Sequence, residues 1–487
     1  MKVYDKIIIG AGASGMVAAI ESAKTGQNVL VLERMEKVGK KIFATGNGKC
    51  NMTNLYWDEK CYRSDQMDFV CDKLERFGPY DTISFFRNLG LITMEKNGYV
   101  YPNSQQAMTV VEVLLYQMES LGVEIEVNME VKSLKKEENI FYIEAEKRVD
   151  KKEKTESKEK KQSYKAKSVV LASGGRASEK LGSNGSGYEL AKRFGHRIIP
   201  VVPALTALKT KNSKITLAAG VRCNAAITLK IEGSKQIREE GELQITSYGI
   251  SGILVFQISR FAANALRQKK RVTVEIDFFP DWEKDKLIEE LWMTKCMHEH
   301  KTVERWLIGF LNRSLVFAIL REKDFPIERT CDRITKDFVS LLANSLKCFE
   351  VEIQATNDFS NAQVCAGGVD LLEITENFES KLVRGLYLVG ELLDVDGICG
   401  GYNLQWAFTS GYLSSHELTD KTYSSKEYEI KDAKESKIHS QNNRIDNKKS
   451  SPSKRKREEF SDNHNRNRRR KLTKKARKEV SAKRRKK

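Results

Sequence analysis

The stretch YDKIIIGAGASGMVAAIESAKTGQNVLVLE at residues 4–33 decides the fold. An apolar strand at 7–9 runs into Gly10, Gly12 and Gly15, the GxGxxG turn that opens a helix. Ala19 is small enough to let that helix lie close to the sheet, and Gly26 ends it. A second apolar strand at 29–32 carries Glu33 at its tip, about 20 residues past the glycines, where a carboxylate can accept from a ribose hydroxyl. The free N–H groups and positive dipole end at Ser14 and Gly15 suit a pyrophosphate. Strand, turn, helix, strand and acid all fall where dinucleotide binding needs them.

Beyond Glu33, a loop at 34–54 sets Gly39, Gly46 and Gly48 among basic and small polar residues, a composition that suits close backbone approach to a flat ring or a phosphate and, taken alone, equally suits a mobile surface loop. The pattern predicts helices over 65–90 and 107–121, strands at 123–127, 133–136, 140–145 and 168–172, and a solvated Lys/Glu loop between Lys147 and Lys165. After the 168–172 strand, Gly174 and Gly175 permit close approach to a cofactor, and a helix opens near Gly185 and Gly187. This second glycine junction lacks an acid-tipped partner strand.

Near Pro200 the character changes to short strands (204–208, 225–231, 242–246, 272–276) with one apolar helix at 253–265, followed by helices across 282–347. The predicted organisation is a first part of a nucleotide domain at 1–197, a β-rich insertion at 198–280, a helical segment at 281–348, the second part of the nucleotide domain at 349–418, and a basic disordered tail at 419–487. In the second part, 386–389 reads as a buried parallel strand, Gly390 as a tight turn and Glu391 as an acid at its end. Gly400 and Gly401 then introduce a helix over 403–414.

The chain has 487 residues, too many for one compact core. Its nine cysteines, with none spaced as CxxC, argue against a disulfide framework, a zinc site or a dithiol motif. No apolar run reaches the ~20 residues that span a bilayer. Asp5 and Lys6 interrupt any export signal, so a cytoplasmic protein is expected. The net charge of +18 is concentrated at one end: residues 421–487 hold 26 Lys plus Arg against nine Asp plus Glu, and the rest holds 58 against 57. Any affinity for RNA or another polyanion therefore belongs to the tail, chiefly 449–487, where Leu472, Ala476 and Val480 recur every four residues.

The blocks GAGASG (10–15), GKKIFATGNGKCNMTN (39–54), ASGGRASEKLGSNGSGY (172–188), PALTALK (203–209) and GELLDVDGICGGYNLQWAFTSG (390–411) carry a resemblance. The chain resembles the bile-acid-inducible (BaiN-like) and aminoacetone-oxidase-like family of bacterial FAD flavoproteins over about residues 1–416. The resemblance implies an α/β fold: a Rossmann-like FAD-binding domain of the two-dinucleotide-binding-domains class, interrupted by a β-barrel-like and a helical insertion. It also implies FAD pyrophosphate at Ala13, Ser14 and Gly15, ribose at Glu33 beside Arg34, and adenine against Val131. Lys41, Thr45, Gly46 and Asn51 would follow the phosphates and flavin, and Glu391, Asn403 and Leu404 would meet the ribityl chain and ring. Ile398 and Cys399, with Gln105 and Gln106, depart from the family's usual residues near the substrate space.

The expected activity is that of an FAD-dependent oxidoreductase acting on a small organic substrate by hydride transfer at flavin N5, with NADH or NADPH as donor. The helix start at 403–405 would stabilise the charge of the reduced ring. Asn47, Tyr101, Tyr402 and Trp406 are candidates to line the substrate space, against the alternative that the aromatics only pack the core. No second acid-tipped fingerprint marks a separate nicotinamide domain. An oxidase of an amine-type substrate and an RNA-associated flavoenzyme tethered by its tail are the alternatives, and His196 reads as a structural residue.

Overall fold

The computed structural model describes residues 2–148 and 161–416. Most of the expected Lys/Glu loop and the whole basic tail, including 449–487, lie outside the described residues. The opening stretch folds as β1 (Val3–Ile9), α1 (Ala13–Lys24) and β2 (Val29–Leu32). β1 and β2 are parallel, with Ile7 opposite Leu30, and every β2 residue is buried. That burial explains why β2 is a continuous apolar run: a parallel strand is covered on both faces. Gly10 has φ of +106°, and a Cβ there would lie 2.5 Å from the carbonyl oxygen of Ala172.

Two helices, Met67–Arg76 and Pro79–Asn88, stand where one is expected over 65–90. Pro79 cannot donate to the preceding turn, so the first helix stops and the proline opens the second, with Asp81 accepting from the Gly78 N–H at 2.8 Å. Beyond the helix Ala107–Ser120 come β3 (Glu124–Glu126), β4 (Met129–Glu137), β5 (Ile140–Lys147) and β6 (Lys161–Leu171). They complete a sheet in the order β3-β2-β1-β6-β5-β4, parallel from β3 to β6 and antiparallel at the β4–β5–β6 end.

The chain leaves this layer through the strand Val202–Ala204 and returns through Val364–Ala366, which pair antiparallel to each other. The strand expected over 204–208 is broken at Leu205, whose φ is +49°. Between the two crossings lies a closed barrel of β7 (Leu208–Thr210), β8 (Arg222–Ile231), β9 (Ile237–Thr246), β10 (Gly249–Ser251), β11 (Val272–Asp277) and β12 (Phe349–Thr356). β12 closes the barrel although it follows the helical segment, so the insertion runs past the boundary expected at residue 348. The helices of the 284–347 segment share one apolar core with the barrel: Leu291, Trp306, Leu315 and Leu342 pack with Ile227, Val274 and Phe349. The β-rich and helical pieces thus form one body. α2 (Ile253–Arg267) covers the barrel with Leu254, Val255, Ile258 and Ala262, while Phe256 and Ala263 on its other side pack against the crossing strands.

The last segment returns to the first layer. β13 (Leu386–Leu388) pairs parallel to β6, and α3 (Tyr402–Leu413) packs against α1. A Cβ on Gly411 would lie 2.4 Å from the carbonyl oxygen of Ser14, and one on Gly390 would lie 2.6 Å from the Ser14 hydroxyl. No described helix is long and apolar enough to cross a membrane. Because the atoms facing Gly411 are backbone, Gly411→Ala is expected to destabilise the fold by about 1–3 kcal/mol, measured as a lowered urea midpoint.

Candidate functional site

Three ends of secondary structure meet at one cleft of about 710 Å³, between the parallel sheet and the barrel. The first is the N-terminus of α1. No side chain caps it, so its leading N–H groups stay available. The three glycines of the turn divide the work. Gly10 and Gly15 are dictated by the protein itself, since a Cβ on Gly15 would sit 2.0 Å from the Gly10 carbonyl oxygen. A Cβ on Gly12 would meet no protein atom within 4 Å, and the residue has an ordinary φ of −83°. It lines the cleft, where a side chain would occupy the space a pyrophosphate needs.

Glu33 stands at the tip of β2 and is buried. Its carboxylate accepts from the N–H groups of Ala11 and Met35, both at 2.7 Å. Burial pushes its carboxyl up, against the opposing pull of those N–H groups and of Arg34. The carboxylate is fixed by two backbone donors and keeps further lone pairs for a ribose hydroxyl. Arg34 is steered by the Glu179 carbonyl at 3.2 Å and by Glu130 at 3.7 Å. Val131 closes this end of the cleft.

The second end is the 39–54 loop. Lys41 pairs with Glu391 at 2.6 Å, which ties the loop to the last described segment. Glu391 also accepts from the Cys365 N–H at 2.8 Å. The Thr45 hydroxyl donates to the Ile42 carbonyl at 2.6 Å. Asn51 Oδ1, Ser173 Oγ and Arg34 Nε are buried with no partner among the described residues, and all three residues line the cleft. Unsatisfied buried polar atoms are costly, so three around one hollow call for a polar ligand there. The residues therefore fit a dinucleotide.

The third end is the loop 394–401 before α3. Gly401, with φ of +96°, opens α3 without a side-chain cap. Asn403 spends its amide on this loop: it accepts from the Gly397 N–H at 2.9 Å and donates to the Gly397 carbonyl at 2.8 Å. From the barrel side, Gln257 accepts from the Cys399 N–H at 3.1 Å, and Arg260 lies 3.4 Å from Asp396. Burial pushes Asp396 up to about 7, against Arg260 and with Asp394, and pushes Asp394 up to about 6. Burial likewise holds the Cys365 and Cys399 thiols up at about 12, which keeps both neutral.

Of the residues expected at the cofactor, Gly10, Gly12, Ala13, Ser14, Glu33, Arg34, Lys41, Thr45, Gly46, Asn51, Val131, Gly174, Glu391, Gly401, Asn403 and Leu404 line this cleft. Gly15 and Gly390 do not; both are packing glycines, pressed against Gly10 and Ser14. Asn47 and Tyr101, expected at the substrate space, also line the cleft. Tyr402 does not: it is buried, its hydroxyl donates to the Tyr56 carbonyl at 3.0 Å and its ring meets Tyr62 edge-on. Trp406 borders the cleft but is buried, with its indole N–H donating to the Gly390 carbonyl at 3.2 Å and its ring against Phe378. α3 is covered on most sides, so its aromatics are taken up by packing. His196 is structural, held between Glu373 at 2.9 Å and Ser380 at 2.8 Å.

The barrel contributes residues with no motif of their own: Arg222 and Glu242, paired at 2.6 Å, with Gln244, Ile253 and Phe256. Leu205 also reaches the cleft.

Residues 4–417 match the model of the HI0933-like protein Rossmann domain. The chain belongs to this family. Among its relatives, the 3-dehydro-bile acid delta(4,6)-reductase of Clostridium scindens is 41% identical over 85% of this chain and 98% of the relative. The ribosomal RNA dihydrouridine synthase of Escherichia coli is 30% identical over 86% of this chain and 98% of the relative. The synthase of the same name from Haemophilus influenzae is 31% identical over 85% and 98%. The resemblance carried by the five blocks stands, and the family member described here is an FAD-dependent oxidoreductase.

Two outcomes are expected from this geometry. Gly12→Ala should fold with an unchanged urea midpoint yet bind FAD at least tenfold more weakly in a titration of apoprotein. Asp396 has a raised carboxyl, so its contribution to stability is present below the ordinary carboxylate range and is lost as pH rises towards about 7. Asp396→Asn should flatten the fall in unfolding midpoint between pH 4 and pH 7.

Proposed function

We propose that this enzyme is an NAD(P)H-linked reductase that saturates a C=C bond conjugated to a carbonyl. The names of the relatives support one bond type. A 3-dehydro-bile acid with double bonds at positions 4 and 6 is a conjugated enone, and dihydrouridine arises by hydrogenation of the uracil C5=C6 bond beside the C4 carbonyl. For the C=C bond next to the carbonyl, hydride would add to the β-carbon and a proton to the α-carbon.

The observation that carries the reading is that one cleft joins the dinucleotide cradle to an apolar wall made by Leu205, Ile253, Phe256 and Ile398. Such a wall suits a flat, largely apolar ring system laid over a cofactor ring, and it favours the enone of a fused-ring acid over a polar amine. FAD, when bound, supplies the two-electron chemistry. The chain's own residues do the rest: α1 and Glu33 hold the nucleotide, and Lys41, Glu391 and Asn51 frame the middle of the cleft. Phe256 and Leu205 exclude water from the reacting face.

A second reading, uridine of a structured RNA, is favoured by the tail with 26 Lys plus Arg against nine acidic residues. Phosphate contacts there would supply affinity without sequence information. An oxidase of an amine-type substrate has no comparable support.

Anaerobic mixing of the flavin-loaded protein with NADH or NADPH should bleach the flavin absorbance, and a 3-keto-Δ4 steroid should restore it. No bleaching by either nicotinamide would remove the NAD(P)H linkage. Restoration by uridine-containing RNA alone, lost on deletion of 421–487, would select the second reading.

A further inference from the structure

The bond type proposed above needs an acid, because the enolate left by hydride addition must be protonated at the α-carbon. Most acids along the cleft are engaged. Glu33 is tied to two backbone N–H groups, Glu391 to Lys41 and the Cys365 N–H, and Glu242 to Arg222. The Cys399 residue packs against the apolar cluster of Val202, Leu205 and Val364.

Tyr101 differs. It lies on the strand Tyr99–Pro102, which pairs with Thr53–Asn54 and so is held beside the 39–54 loop. Alternation along that strand buries Val100 on one face and turns Tyr99 and Tyr101 to the other, and both tyrosines line the cleft. Tyr101 Cε1 lies 3.8 Å from the place a Cβ would take on Gly46, and Tyr99 Cε1 lies 3.1 Å from that place on Gly400. The tyrosine face therefore touches both glycine loops, Tyr101 that of Gly46 and Tyr99 that of Gly400. No hydrogen bond to the Tyr101 hydroxyl is made by any described residue, and the hydroxyl is not sealed in the core.

We propose that Tyr101 is the proton donor of the reduction. The inference rests on the reading of the enzyme as a reductase of conjugated C=C bonds. FAD held by α1, Glu33 and the 39–54 loop would supply the hydride for the β-carbon, with the nicotinamide as the source of its electrons, and the C=C electron pair would move to the carbonyl as an enolate. The enolate collapses, its α-carbon takes the proton from the Tyr101 O–H, and the C=O bond re-forms. The phenolate then takes a proton from water. Burial, with Tyr99 beside it, raises Tyr101 above the usual phenol range, so the hydroxyl stays protonated through neutral pH and remains able to donate. The transfer should be lost only as pH rises through that raised value.

The test separates the two half-reactions of the flavin-loaded enzyme in a stopped-flow instrument. Tyr101→Phe should keep wild-type flavin content and be bleached by the nicotinamide at the wild-type rate. Its reoxidation by a 3-keto-Δ4 steroid or by uridine-containing RNA, whichever reoxidises the wild type, should be slower by about 10²–10⁴-fold. Tyr101→3-fluorotyrosine, which keeps the ring and hydroxyl but acidifies the phenol, should move the alkaline limb of the wild-type reoxidation profile to lower pH. A purely structural role would leave that limb in place. Reoxidation of Tyr101→Phe within threefold of wild type, or an unmoved alkaline limb in the fluorotyrosine variant, would overturn the assignment and leave the reductase reading intact. Failure of both probes to reoxidise the wild type would overturn that reading and the assignment with it.

Discussion

The structure depends on how closely α3 approaches α1. α3 comes against α1 at Ser14, where Gly411 meets the backbone and Gly390 meets the hydroxyl, each without room for a side chain. The Ser410 hydroxyl accepts from the Gly390 N–H at 2.9 Å, and the Trp406 indole donates to the Gly390 carbonyl, so the turn after β13 is clamped to α3. This contact joins residues almost 400 positions apart. It sets two uncapped helix N-termini, those of α1 and α3, around a single hollow. An anionic cofactor is drawn to such a place because both ends present unsatisfied donors and aligned dipoles.

A second contact shapes the wall of the cleft. α2 is amphipathic in an unusual sense, with one face in the barrel core and the other against the crossing strands and the 394–401 loop. Phe256 and Arg260, one turn apart, lie on the side that faces the first layer. Phe256 lines the cleft, while Arg260 lies beside Asp396 in the loop. The barrel therefore supplies part of the cleft wall and holds the loop that carries Ile398 and Cys399.

The site was legible wherever one short segment had to satisfy a local geometric demand. GxGxxG followed by an acid-tipped strand located Gly12, Ser14 and Glu33, since a turn, a helix start and a strand end are each encoded within a few residues. Roles within that motif were less legible. Gly15 and Gly390 were expected at the cofactor; neither lines the cleft, and a Cβ on either would press on protein atoms, a constraint that arises between segments and leaves no local mark. Tyr402 and Trp406 carried the aromatic signature of a pocket but are taken up by packing, because a helix covered on most sides gives no periodic clue to its open face. Arg222, Glu242, Gln244 and Phe256 had no signal, as they lie on ordinary barrel strands and a covering helix.

By itself, the sequence determined the parallel α/β layer, the dinucleotide end of the cleft and the segregation of positive charge into the tail. Each is a local or additive property: strand periodicity, turn chemistry and composition do not depend on distant partners. Tertiary structure alone decided that β12 closes the barrel after a helical detour, that the two inserted pieces share one core, and that barrel residues complete the cleft. Those outcomes come from pairings between segments far apart in the chain. Their free energy lies in buried contacts that form only when both partners are present, so no single stretch carries their imprint.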